Sequence, residues 1–228
     1  MQTIATRFVL LLCFAVLGTA PAHAQDLFLD YVGYDYEDPD PDPLSFGEVG
    51  AGYNGLGDVP VLLAPLAPDT ASNQYTYFIT DLTVNVVNVY GDFMVIDYAG
   101  PGTIQVYEDS KTLGTDRDYG TNPPNLVAPP TFTDGTLFLE GSLTSFQFVF
   151  NTVTGSGSYE AVFTATGGSQ LGNIPVAQRT GWTFAGATEN DLHMPVGYLH
   201  QIDGQIFLDR PSPIERSSWG RIKSGLPR

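Results

Sequence analysis

Positive charge is what this chain has least of. Of its nine Lys and Arg, only Lys111, Arg117 and Arg179 fall between Gln25 and Asp209, against 24 Asp and Glu. A segment of net charge −21 repels phosphate backbones and anionic lipid, which argues against nucleic acid as a partner. Cysteine is nearly missing as well. The single one, Cys13, lies in the N-terminal apolar run, so the rest of the chain has neither a disulfide framework nor a cysteine nucleophile. No Gly-x-Ser-x-Gly elbow occurs to supply a serine instead. Beyond the first 24 residues no segment approaches the ~20 apolar residues of a membrane helix, and none holds a helical period for long.

What is present begins with a secretory signature. Met1 to Ala24 carries one cation, Arg7, an apolar run from Phe8 to Leu17, and the small-residue exit Ala22-His23-Ala24. This layout predicts a signal peptide (1–24) cleaved after Ala24, and hence an exported protein. Leu11-Leu12 ahead of Cys13 does not fit a lipoprotein anchor. Residues 25–209 are enough for one domain that buries roughly 70% of its unfolded surface without staples. From Arg210 the charge reverses: Arg210, Arg216, Arg221, Lys223 and Arg228 stand against Glu215 alone. Pro211 and Pro213 separate this basic C-terminal tail (210–228) from the body, so it reads as short and flexible.

The body reads as all-β. Glycine and proline total 42, with 14 Phe and 12 Tyr in the whole chain. The clearest unit is a hairpin of Leu143–Phe150 with Ser158–Thr166, joined through Gly155-Ser156-Gly157. Phe146, Phe148, Phe150, Tyr159 and Phe163 alternate with mostly polar residues, which predicts one packed face and one wet face. Further strands are expected at 75–81, 82–90, 93–98 and 103–107, with shorter ones at 27–31, 59–63, 136–140, 181–185 and 205–208. Roughly ten short strands at this spacing predict an antiparallel β-sandwich of jelly-roll type, with a barrel as the alternative. Thr112 to Pro130 reads as a long loop.

Three clusters carry candidate chemistry. Asp38, Asp40 and Asp42 alternate with Pro39, Pro41 and Pro43; on a β-like backbone their carboxylates share one edge and could hold Ca²⁺, whereas a polyproline II path would splay them around the axis of a stiff linker. Asp116 and Asp118 open a loop with the Asp-x-Asp start of oxygen-ligand sites, but Arg117 sits between them and Val127 stands where an EF-hand has its bidentate Glu. His193 and His200, with Asp191, form a transition-metal or acid–base set, although Pro195 and Gly197 break any helix between them. Tyr34, Tyr36, Tyr53, Trp182 and Tyr198 would make a sugar-stacking platform if exposed and core if not. In the tail, Trp219, Arg221 and Lys223 could serve as an address or as a strap on the acidic body.

The sequence therefore predicts a secreted, acidic, non-enzymatic protein with a structural or interaction role at the cell surface or in the extracellular matrix, where its partner would be a surface or matrix protein. The rival from another class is a carbohydrate-binding module or weak glycosidase, whose partner would be a glycan.

Overall fold

The computed structural model describes residues 25–41 and 45–209, of which Leu27–Leu208 form one compact unit. The predicted signal peptide, Asp42, and the tail residues Trp219, Arg221 and Lys223 lie outside the described residues.

The strands are β1 (Gln25–Glu37), β2 (Gly52–Leu62), β3 (Asn73–Tyr90), β4 (Phe93–Ala99), β5 (Gly102–Ser110), β6 (Thr136–Asn151), β7 (Ser156–Gly167), β8 (Trp182–Glu189) and β9 (His200–Asp209). Paired neighbours run antiparallel, and the hydrogen-bonded order closes on itself: β1-β2-β3-β5-β6-β7-β8-β9-β1. The ninth strand, β4, lies between β3 and β6 in line with β5. Gly100-Pro101-Gly102 joins β4 to β5, so the two run as one interrupted strand along both neighbours.

The expected sandwich is thus corrected to a barrel. A sandwich needs two sheets with free edges, and here β9 pairs with β1 and leaves no edge in the ring. Bulges supply the curvature. Register shifts fall between Asp30 and Val32 in β1, between Tyr53 and Gly55 in β2, and between Thr144 and Gln147 in β6.

Alternation decides what goes inside. In β7, Tyr159, Ala161, Phe163 and Ala165 are buried while Glu160 and Val162 face water. Across the hairpin Phe148 sits opposite Tyr159 and Leu143 opposite Phe163, so the predicted aromatic face is the barrel interior. Eight strands leave a lumen that side chains can fill, and aromatic rings fill it. Tyr31 stacks on Phe184 with centroids 5.4 Å apart, and Phe146 stacks on Tyr159 at 5.7 Å. Gly186 and Gly204 are paired across β8 and β9. A Cβ at Gly186 would lie 2.2 Å from the Tyr159 oxygen, and one at Gly204 would lie 2.3 Å from the Tyr31 oxygen. Their missing side chains make room for the Tyr31 hydroxyl to donate to Tyr159 at 2.9 Å.

The outer wall of β6 to β9 carries Gln147, Glu160, Thr164, Gln201, Asp203 and Gln205. Apolar in and polar out is the reverse of a membrane-spanning barrel. Over β1–β3 the wall is covered instead. The loop after β5 and the loop before β9 lie on it, packing Tyr119, Phe132 of the one-turn helix α1 (Pro130–Thr133), Met194 and Tyr198 against Tyr36 and Leu56. The two loops are tied by the Asn122 N–H to the Val196 carbonyl at 2.7 Å, and by the Tyr198 hydroxyl to the Tyr119 carbonyl at 2.9 Å.

Candidate functional site: the acidic end of the barrel

Strand β1 sets this site by its period. Tyr31, Gly33, Asp35 and Glu37 share one face, and Tyr34 and Tyr36 share the other, where they join the outer cluster. The inner face ends in two carboxylates at the end of the barrel where β1 finishes and β9 starts. Asp35 is fully buried. It accepts the His200 backbone N–H at 2.7 Å, and the His200 Nδ1 lies 3.2 Å from each of its oxygens. The His200 ring stands 4.7 Å from the ring of Phe46 and 4.9 Å from that of Phe150. This pair is enclosed by aromatic walls.

The described parts of the β1–β2 connection, 38–41 and 45–51, lie over the same end as a cap. Asp38 and Gly52 are joined by a backbone bond of 2.8 Å, as are Gly52 and Pro39, and Asn54 bonds the Asp38 carbonyl at 3.3 Å. The Gly50 N–H donates to Val84 at 2.9 Å, and the Val84 N–H to Ala51 at 2.8 Å. Phe46 packs against Phe148 and Phe150.

Under this cap lies Glu37, 7% exposed. One oxygen accepts the Gly47 N–H at 2.9 Å, while Oε2 has no hydrogen-bond partner. Glu48, on the cap, also has its Oε2 buried without a hydrogen-bond partner. Glu37, Asp40 and Glu48 each bring a carboxylate oxygen into a group whose members lie within 4.8 Å of one another. Burial pushes the Glu37 carboxyl up to about 8 against the pull of the Gly47 N–H, and the charges of Glu48, Asp40 and Asp35 push it the same way. The phenol hydroxyls of Tyr53, Tyr77 and Tyr98 are buried without hydrogen-bond partners further inside.

The sequence-predicted residues distribute as follows. Of Asp38, Asp40 and Asp42, Asp40 is half-buried in the carboxylate group and Asp38 faces solvent. Asp116 and Asp118 are exposed, and Asp118 accepts the Gly120 N–H at 2.9 Å as a loop staple. Arg117 between them turns away to an ion pair with Asp58 on the outer wall. His193 and His200 do not converge: His200 is inside with Asp35, while His193 is exposed beside Asp191, Nδ1 to Oδ1 3.4 Å. Tyr36, Tyr53, Trp182 and Tyr198 are buried and Tyr34 is half-buried, so the five make no exposed platform.

Sequence reasoning missed Glu48 and the Asp35–His200 pairing. The inward face of β1 was readable from Tyr31 onward at every second residue. Glu48 sits alone in a glycine-rich stretch, and no spacing marks it. Comparison with protein-family models, curated proteins and solved structures finds no match for the chain.

Proposed function

We propose that this chain is an exported, non-catalytic β-barrel module with a structural or interaction role at the cell surface or in the extracellular matrix. The observation that carries the reading is an interior occupied by side chains from end to end, with Trp182, Tyr31, Tyr53, Tyr77, Phe148 and Phe184 all nearly inaccessible. Tyr34, Tyr36, Tyr53, Trp182 and Tyr198, the expected sugar platform, are spent on the core and on the loop-covered wall. What remains outside is an anionic surface with scattered exposed apolar residues such as Val89, Tyr90 and Phe93, suited to contact with proteins rather than to enclosing a small molecule. The carbohydrate reading loses the stacking platform expected of those five residues.

Two measurements on the full chain test this. Surface shaving and fractionation of the producing cell should place the protein at the surface or in the matrix, and a glycan array with a panel of chromogenic glycosides should give neither retention nor hydrolysis. Retention on a glycan at micromolar protein, or turnover of any glycoside, would overturn the proposal.

A further inference from the structure

The geometry points to a Ca²⁺ site under the cap, formed by the carboxylates of Glu37, Asp40 and Glu48. Three acidic groups alone would mean little, because exposed carboxylates cluster freely on an acidic surface. Here one of them is more than nine-tenths buried, and its Oε2 has no hydrogen-bond partner, as has the Oε2 of Glu48. A carboxyl buried with one oxygen unpartnered is costly to ionise, and no ion pair to Glu37 or Glu48 occurs among the described residues. Lys111 donates to the Thr70 carbonyl, Arg179 to the carbonyls of Ile174 and Leu171, and Arg117 pairs with Asp58. Asp35, the nearest other acid in the lumen, is committed to His200. A metal ion is the compensation this geometry admits.

The donors select the ion. Oxygen ligands without His or Cys suit a hard cation, and three carboxylates offer up to six oxygens. Two of the three, Asp40 and Glu48, stand outside the regular strands, and Ca²⁺ accepts irregular oxygen coordination at about 2.3–2.6 Å. Mg²⁺ demands near-ideal octahedral geometry at shorter distances and keeps its waters. The ion would tie the end of β1 to the cap, so that occupancy locks this end of the barrel. The donor set differs from the aspartate ladder read from sequence: it shares Asp40, and replaces Asp38 and Asp42 with the two glutamates.

The test is calorimetric titration of Ca²⁺ into the full mature chain, with thermal melts in Ca²⁺, Mg²⁺ and chelator. Wild type should bind one Ca²⁺ and melt several degrees higher in millimolar Ca²⁺ than in chelator. Glu48→Gln and Glu37→Gln should each weaken binding tenfold or more. Both should still melt at or above the wild-type temperature in chelator, since each replaces a carboxyl that is costly to ionise in this crowded group by a neutral amide, which separates lost binding from lost folding. Asp116→Asn/Asp118→Asn should bind as wild type. No heat and no shift with wild type, an undiminished affinity in Glu48→Gln, or an equal shift with Mg²⁺ would each overturn the assignment.

Discussion

At the end of the barrel where β1 and β8 begin, Trp182 packs edge-on against Phe28 at 4.5 Å and stacks on Phe163 at 5.1 Å. Its indole N–H donates to the Gln178 carbonyl at 2.6 Å, and Arg179 holds the same capping loop by two more carbonyls at 3.0 Å. At the opposite end the cap covers Asp35, Glu37 and His200, with carboxylate oxygens left over. One fold thus closes its two mouths by different chemistry. Apolar closure is insensitive to pH and to metal ions, because it asks only that rings leave water. Acidic closure is conditional, since its stability depends on what neutralises the carboxylates. Burial at a barrel end therefore does not by itself say what an end contributes.

Between the ends lies a layer whose response to pH should exceed that of either. Tyr31, Tyr53, Tyr77, Tyr98 and Tyr159 all have phenols held well above the ordinary range near 10, first by burial and in most of them also by neighbouring phenols or acids. A group whose folded pKa is raised keeps its full contribution below the unfolded value and loses it as pH climbs toward the folded one. The five together should forfeit about 7 kcal/mol per pH unit well above pH 10, comparable to the whole stability of a domain. Phenolate absorbance and near-ultraviolet dichroism should consequently change together in one sharp transition. Gradual phenolate formation with the barrel intact would mean that water reaches the lumen, and the contrast between sealed middle and conditional end would fail.

Next in size is the apolar mouth. Trp182→Ala removes a side chain 2% exposed and should lower stability by about 3–5 kcal/mol. If the two ends are independent, the loss is the same in Ca²⁺ and in chelator, because distant sites add. A loss that differs between the two solutions would show that the cap at the acidic end senses packing at the far mouth.

How much of this was readable beforehand differs by level. The hairpin of β6 and β7 was plain, because its period of two runs unbroken through Phe146, Phe148 and Phe150 and again from Tyr159 to Ala165. The closure was not, for a local reason as well as a global one. Asp81 and Ser145 take positive φ, 65° and 56°, and each shifts the alternation in mid-strand. The 18 residues of β3 consequently read as two strands, 75–81 and 82–90, while β6 reads as two, 136–140 and 143–150, parted at Gly141-Ser142. Broken in this way, a few long strands resemble the many short ones of a sandwich. Pairing of β1 with β9 is a contact between the two ends of the domain and leaves no trace in periodicity. At the acidic end, alternation with Tyr34 and Tyr36 turns Asp35 and Glu37 inward, but acidic residues ordinarily face water, so their types give no sign of burial. The two histidines were grouped by closeness in sequence, which a turn between them undoes.

The smallest expected effect compares carboxylates in two settings. On the outer wall Asp58 pairs with Arg117, both side chains about one-third exposed. Burial raises the Asp58 carboxyl and the Arg117 charge draws it back down. Water and salt screen such a pair, and ordering the long arginine side chain costs entropy, so Arg117→Ala should destabilise by less than about 1 kcal/mol and by nothing measurable in molar salt. The capped cluster should respond with the opposite sign. Its carboxylates crowd within 4.8 Å of one another, so in chelator Glu48→Gln relieves repulsion and should raise the melting temperature. Each comparison is one charge removed and one melting curve. Were Arg117→Ala the more harmful in molar salt, or Glu48→Gln destabilising in chelator, the distinction between a screened surface pair and a crowded, partly buried carboxylate cluster would have to be abandoned.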